Sequence, residues 1–279
     1  MTKKILIAGA GYLGMAAARQ FLSAGFSVHA LTRDPRKADA LRGSGIEPRV
    51  ADLTQESSLP FFEGLDGVLI SAAPDRGEVF DYREMYVRGI GNLLRKLDRK
   101  RPPLVLYTSS TSVYGPSQQG WLDETVVPEP GHEKGRVLLD AEKQVLDSGM
   151  GVIFRLSGLY GPGRNRLESR RAEAAGEPDR YLNLIHRDDA AAASLFLLER
   201  ARPGEVYLGV DKEPVLRSSL LRWLENPAAF PSQEPADASA RRCRAAGLTA
   251  LGFEFRYPSF REGYGEILKT IQAKGAHAS

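Results

Sequence analysis

Gly9-Ala10-Gly11-Tyr12-Leu13-Gly14 decides the reading of this chain because of what stands on either side of it. Upstream, Lys4-Ile5-Leu6-Ile7-Ala8 is an apolar run of strand length. Downstream, Met15, Ala18, Phe21 and Leu22 recur at helical spacing until Gly25 stops the helix. A glycine turn in that setting is a dinucleotide fingerprint. Gly9 permits the tight turn, Gly11 lets the backbone approach a pyrophosphate, and Gly14 lets helix and strand pack closely. The helix start adds unpaired N–H groups and about half a positive charge. Gly9, Gly11, Tyr12, Leu13 and Gly14 are therefore cofactor-binding candidates, and the competing reading is a glycine-rich turn without ligand.

Outward from this turn, strand-length apolar runs alternate with helical segments. Strands are expected at 28–32, 46–50, 68–72, 104–109 and 152–156. Helices are expected at 35–41, where Pro35 suits the first turn, and near 80–100 and 136–148. With the opening strand this makes an α/β protein with a doubly wound parallel sheet of Rossmann type. After Leu156 the rhythm changes. Gly158, Gly161, Pro162 and Gly163 form a loop, 164–180 is polar, 181–186 has strand character and 188–198 is an alanine-rich helix. Breakers follow at Pro214, Pro227, Pro231, Pro235 and Pro258. The expected division is a dinucleotide-binding domain at 1–155, with 182–200 packing back on it, and a smaller substrate-side domain at 156–279.

Composition excludes several classes of function. The 279 residues hold 42% hydrophobic and 26% charged side chains, ordinary for a globular protein. A net charge of +3 with no long basic stripe argues against nucleic acid as a partner. The single Cys243 removes any internal disulfide framework or cysteine-built metal site and fits a reducing compartment. Four scattered histidines without His-Glu-x-x-His spacing give no metal site. No run approaches the ~20 apolar residues of a membrane span. A soluble cytoplasmic protein with a small-molecule partner is expected.

The dinucleotide is chosen at the end of the second strand, Leu31-Thr32-Arg33-Asp34-Pro35-Arg36-Lys37. An acidic residue there binds a ribose 2′-hydroxyl, whereas an arginine suits a 2′-phosphate. Arg33 falls at the discriminating position, and guanidinium grips phosphate through a forked, charge-assisted contact. NADP is expected, with Thr32, Arg33 and Arg36 as ligands. NAD anchored on Asp34 is the alternative.

Several stretches resemble the extended short-chain dehydrogenases/reductases, the NAD-dependent epimerase/dehydratase family. They are Gly9 to Gly14, Ala51-Asp52-Leu53, Ser71-Ala72-Ala73, Ser109-Ser110-Thr111-Ser112-Val113-Tyr114-Gly115 and the segment from Arg155 to Gly163. The likeness spans about residues 3–200, and the family's usual leading glycine is Ala8 here. The resemblance implies that Asp52 accepts from the adenine amino group and that Leu53 flanks the ring. It also implies that Ala72 and Ala73 line the cofactor, with Ser109, Leu156 and Ser157 beside it. Asp52 as a cap ahead of Thr54, and Ala72 and Ala73 as core packing, are the competing readings. A homodimer through the helices after the fourth and fifth strands is likewise implied only by the resemblance.

The family's catalytic pair departs from pattern. Aligning Lys134-Gly135-Arg136-Val137-Leu138-Leu139-Asp140-Ala141-Glu142 with the family's Tyr-x-x-x-Lys-x-x-x-Glu helix keeps the glutamate. It puts Lys134 in place of the tyrosine and Leu138 in place of the lysine. No tyrosine in the chain has a lysine four residues later. Such a chain is similar to an atypical, YeeZ-like subgroup. An unassisted tyrosine has a pKa near 10, and general acid/base help is worth about 10²- to 10⁴-fold, so the loss matters. Ser110 is the leading catalytic candidate, its hydroxyl placed to donate to a substrate oxygen. Lys134 and Tyr114 are substitute proton groups. His186 and Arg164 are substrate-side candidates, and Arg166, Arg170 and Arg171 join Arg164 in a region that suits an anionic sugar nucleotide or carboxylate. Bland alternatives stand beside each: a capping Ser110, a solvated Lys134, a packing Tyr114, a structural His186 and a solvated arginine loop. Three functions compete: an NAD(P)-dependent oxidoreductase or epimerase, an inactive nucleotide sensor or scaffold, and a nonredox isomerase or cyclase in the same cleft.

Overall fold

The structure, a computed structural model, describes residues 2–74, 82–164, 179–226 and 240–276. The chain opens with β1 (Lys4–Ala8), α1 (Tyr12–Ser23), β2 (Ser27–Thr32), α2 (Arg36–Gly43), β3 (Glu47–Val50) and β4 (Gly67–Ile70). A π-helical stretch, Glu84–Gly89, runs into α3 (Ile90–Arg95). There follow β5 (Leu104–Ser110), the short β6 (Trp121–Leu122), α4 (Glu133–Asp147) and β7 (Gly151–Leu156). The remainder holds β8 (Gly158–Tyr160), β9 (Tyr181–Leu182), β10 (Leu184–His186), α5 (Arg187–Arg200), β11 (Val206–Gly209) and β12 (Val215–Leu216). It ends with α6 (Arg217–Glu225), β13 (Arg242–Cys243), α7 (Ala246–Ala250) and α8 (Phe260–Ala276).

Seven parallel strands form the central sheet in the order β11-β7-β5-β4-β1-β2-β3. Strands covered on both faces read as unbroken apolar runs, and β4 and β7 are buried at every residue. The order reverses between β1 and β4, so a crevice opens there at the carboxyl ends of the strands. Helix α5 packs against α1.

The sheet differs from the sequence reading in one strand. β11, Val-Tyr-Leu-Gly, pairs in parallel with β7 and supplies a seventh strand from a tail read as irregular. The helix expected near 80–100 ends at Arg95, and Phe80 lies outside the described residues. Its end has a physical cause. Leu97 bridges Phe62, whose N–H donates to Lys96 O at 2.8 Å, and that extended pairing competes with another helical turn. The strand expected at 181–186 is split at Asn183. β9 pairs antiparallel with β12 while β10 pairs parallel with β8. Asn183 serves both sides of the break, its carbonyl accepting from Gly158 N–H and its Oδ1 from Cys243 N–H.

A second apolar core, separate from the one around the sheet, gathers Tyr160, Leu184, Leu220, Trp223, Phe260 and Tyr264, with Tyr160 stacked on Tyr264 at 4.5 Å. Asp211 is 2% exposed, and its Oδ2 has no hydrogen-bond partner among the described residues. Burial drives its pKa well above the ordinary carboxylate value, and the nearby Glu213 and Asp189 add to the rise. Below the unfolded pKa both states hold the proton. As pH rises past it, only the unfolded chain ionises freely, so stability falls. Asp211→Asn is therefore expected to melt like the parent near pH 4 and progressively higher toward pH 7. A difference in melting temperature that stays constant across that range would exclude a protonated Asp211. Among the described residues no helix is long and apolar enough to cross a membrane.

Candidate functional site

The crevice between β1 and β4 is shaped by its glycines. Gly9 has φ +110°, a conformation that favours glycine, and a Cβ there would overlap the backbone of Ser71 and Ala72. A Cβ on Gly14 would run into the Gly9 carbonyl oxygen. These two glycines let β1, α1 and β4 meet, and Ser71 Oγ ties the junction by donating to Gly9 O at 2.9 Å. Gly11 differs. Nothing lies within 4 Å of a Cβ built on it, so its missing side chain leaves open space in front of the helix.

That space faces the start of α1, which has no side-chain cap and no acidic residue in its first turn. The first N–H groups of any helix lack partners within it and carry the positive pole. An empty cradle at an uncapped helix start fits a diphosphate. Ser157 Oγ, at the end of β7, is out of reach of solvent and has no partner among the described residues.

Past the end of β3, Asp52 Oδ1 accepts from Thr54 N–H at 2.9 Å and from Thr54 Oγ1 at 2.8 Å, which closes a local turn; the helical turn that follows begins at Glu56 after Gln55, so Asp52 caps no helix. Leu53 and Leu156 are buried, Ala72 is half-buried and Ala73 is exposed, so Ala73 is not core packing. At the end of β2, Thr32 Oγ1 accepts from Asp34 N–H, and Arg33 is exposed. Arg36 forks onto Asp34 through Nε at 2.9 Å and Nη2 at 3.0 Å, which pulls the Asp34 carboxyl below its usual range.

At the end of β5, Ser110 caps the turn 111–113 by accepting from Ser112 N–H at 3.1 Å. The hydroxyl proton takes no part in that bond and remains available to donate. The start of α4 docks against this corner. A Cβ on Gly135 would come 2.8 Å from Ser112 O and from Pro130 Cβ, so glycine is what permits the approach. His132 Nδ1 accepts from Gly135 N–H at 2.9 Å and caps the helix. Lys134 is exposed there, with Nζ 5.6 Å from the centre of the Tyr82 ring. Leu138 is buried, so the place of the family lysine is hydrocarbon.

Three candidates are buried. Tyr114 is 2% exposed and its hydroxyl is used twice, donating to Asp123 O at 3.0 Å and accepting from Arg155 Nη1 at 2.9 Å. Burial raises its pKa, partly offset by Arg155, and it is corrected from proton donor to packing residue. The Ser109 hydroxyl donates to Glu142 Oε1 inside the core, so only its backbone remains for a cofactor. His186 is 2% exposed, sits 3.9 Å from the Tyr257 ring and caps α5 by accepting from Asp188 N–H at 3.2 Å. Burial lowers its pKa to about 4, so it is neutral and corrected from substrate ligand to cap. Arg164 is half-buried, its guanidinium 5.6 Å from the Tyr12 ring centre. Arg166, Arg170 and Arg171 lie outside the described residues.

Sequence reasoning missed two features. Tyr82 stands beside Lys134, and its ring lies 4.6 Å from that of Tyr86; their four-residue spacing was the only available sign. The other is the buried ion pair of Arg155 with Glu142, joined through Nη2 to Oε2 at 2.8 Å. An arginine inside an apolar strand was its signal. Among the described residues no cluster of His, Cys, Asp and Glu could hold a metal ion.

Comparison with known proteins agrees with this arrangement. Residues 5–208 match the NAD dependent epimerase/dehydratase family. Protein YeeZ of Escherichia coli strain K12 is 31% identical over 273 residues, covering 92% of this chain and 97% of YeeZ. A solved structure from Methylobacillus flagellatus, named as a candidate NAD-dependent epimerase/dehydratase, is 31% identical with a TM-score of 0.80. The match covers 98% of this chain and 100% of the other. A short-chain dehydrogenase/reductase superfamily protein from Agrobacterium tumefaciens, solved with bound NAD, shares the fold at 19% identity and a TM-score of 0.77 over 99% of each chain. Carrying the family's match across most of its length and its glycine turn at the sheet's switch point, this chain belongs to the NAD dependent epimerase/dehydratase family.

Proposed function

We propose that this protein is an NAD(P)-dependent oxidoreductase or epimerase-like enzyme acting on a small polar, anionic substrate such as a sugar nucleotide or a carboxylate. The observation that carries the reading is the glycine turn, where Gly11 opens onto an uncapped helix start at the same strand ends that present Ser110. The bound dinucleotide supplies hydride transfer. Backbone N–H groups of α1 bind its diphosphate, and Asp52 and Leu53 take the adenine end. Ser110 donates its remaining hydroxyl proton to the substrate oxygen, steadying charge as it develops. Lys134 or a water moves the second proton. NADP is the preferred form, supported by Arg33 past β2 and by Arg36, which neutralises the Asp34 carboxylate that would otherwise repel a 2′-phosphate.

One observation favours a second reading, a nucleotide-binding sensor or scaffold without turnover: Leu138 is buried where the family places its lysine. A single experiment separates the two. The full chain is titrated with NADPH and NADH by fluorescence, then screened against carbonyl substrates beside Ser110→Ala. The enzyme reading expects tighter NADPH than NADH binding, and a Ser110→Ala variant that keeps its Kd but loses about 10²-fold in kcat. Tight binding with no turnover in either protein supports the sensor.

A further inference from the structure

Arg241, Arg242 and Arg244 crowd the segment around β13, and two of them are spent on the corner that follows β5. Arg241 Nη1 donates to Tyr114 O at 2.9 Å, and Arg244 meets Asp123 Oδ2 through Nε at 3.0 Å and Nη2 at 2.7 Å. Arg242 differs. Its backbone N–H donates to Gly120 O at 2.8 Å, and the parallel pairing of β13 with β6 sets it beside Trp121. Alternation along the strand sends Cys243 into the core around the sheet and Arg242 to the other face. There its guanidinium lies 4.8 Å from the centre of the Trp121 ring and 5.4 Å from that of Tyr181. Arg242 is 7% exposed, yet no carboxylate among the described residues pairs with it, and its buried Nε has no hydrogen-bond partner among them.

A buried charge without a counter-charge is unfavourable. Packing on rings offsets part of that penalty, but rings supply none of the oxygen acceptors that a guanidinium's N–H donors take. The neighbours of Arg242 place it at the carboxyl ends of the central strands. Asn183 Oδ1 accepts from Cys243 N–H while Asn183 O accepts from Gly158 N–H, which joins β13 to the end of β7. Arg241 joins the same segment to the corner after Ser110. Trp121 is 47% exposed, so one wall of this aromatic clamp faces solvent. We propose that Arg242, held against Trp121 and Tyr181, binds the oxyanion group of the substrate, a carboxylate or a phosphate. Both groups meet a guanidinium through forked, charge-assisted bonds. The proposal rests on the anionic-substrate reading above and gives that negative charge a specific partner. It also explains why an unpaired buried charge persists, since the bound oxyanion supplies the acceptors that the fold leaves out.

The test fills the dinucleotide site of the full chain with oxidised NADP and follows tryptophan fluorescence during titration with inorganic pyrophosphate or malonate at constant ionic strength. Of the two tryptophans, Trp223 is buried in the second core, so a response at the clamp belongs to Trp121. Arg242→Met is expected to raise the Kd of the bound anion at least ~tenfold while leaving that of NADP unchanged. Because it removes an unpaired buried charge, it should also melt higher than the parent without ligand. An arginine that only holds the fold together would do the reverse, melting lower when replaced and leaving anion affinity alone. Arg242→Lys keeps the charge, loses the fork and should fall between parent and Arg242→Met. A response to pyrophosphate alone assigns the substrate a phosphate, one to malonate alone assigns a carboxylate, and one to both supports the shared chemistry. If Arg242→Met melts early, Arg242→Lys decides the question. Anion affinity within about twofold of the parent in the deciding variant overturns the proposal, and so does a parent without a saturable response to either anion below about 10 mM. Retained NADP binding in those cases leaves the cofactor reading standing. A parent that binds no NADP overturns that reading instead, and the same anion titrations without nucleotide still judge Arg242.

Discussion

Glu142→Ala is expected to cost the fold about 3–5 kcal/mol, read as a lower midpoint in urea denaturation. The partner left behind sets the size of the effect. Arg155 and Glu142 are 5% and 1% exposed, and the guanidinium meets the carboxylate through Nε and Nη2 while Nη1 reaches Tyr114. Removing the carboxylate strands a full positive charge out of water and also orphans the Ser109 hydroxyl. Against the 5–15 kcal/mol that holds typical domains together, that is a large share. Replacing both partners with hydrocarbon, Glu142→Leu with Arg155→Met, should recover much of the loss, because the cost comes from an unpaired charge more than from a lost attraction. A single variant that loses under about 1 kcal/mol would show that water reaches the pair in solution.

Gly11→Asp is expected to leave the unliganded protein at least as stable as the parent while raising the Kd for NADPH at least ~100-fold. Gly11 is the N-cap of α1, with φ −91° and open space where a Cβ would go, so aspartate fits without strain. Aspartate is a better N-cap than glycine by a few tenths of a kcal/mol, and its charge suits the helix pole. The same carboxylate would occupy and repel the place of a diphosphate. Gly9→Ala and Gly14→Ala should behave in the opposite sense, lowering stability first, because their Cβ atoms meet backbone. Unchanged nucleotide affinity in Gly11→Asp would place the dinucleotide elsewhere.

These variants separate glycines that serve the fold from the one that serves a ligand, a division the spacing of the turn already suggests. The structure supplies its physical reason, because a Cβ on Gly9 or Gly14 would meet backbone while one on Gly11 would meet nothing within 4 Å. Ser109 and Ser110 are adjacent, yet alternation along β5 sends the first hydroxyl into the core to Glu142 and leaves the second to cap the corner. The sequence offers Tyr114 as a proton group and His186 as a substrate-side ligand because their chemistry allows it. Burial and satisfied hydrogen bonds remove them. β11 was missed because a four-residue strand has too short a period to stand out, and its pairing with β7 is what stabilises it.

By itself the sequence determined the parallel sheet, the place of the glycine turn within it, the family and the loss of the tyrosine–lysine pair. Those properties are local: periodicity, breakers and motif residues lie within a few positions of one another. The tertiary structure alone decided which side chains share a site. It set Arg164 and Arg187 on Tyr12, Lys134 beside Tyr82, and Arg155 on Glu142. Each of those pairs is separated by many residues along the chain, so its contact depends on how strands and helices stack, which no local pattern records.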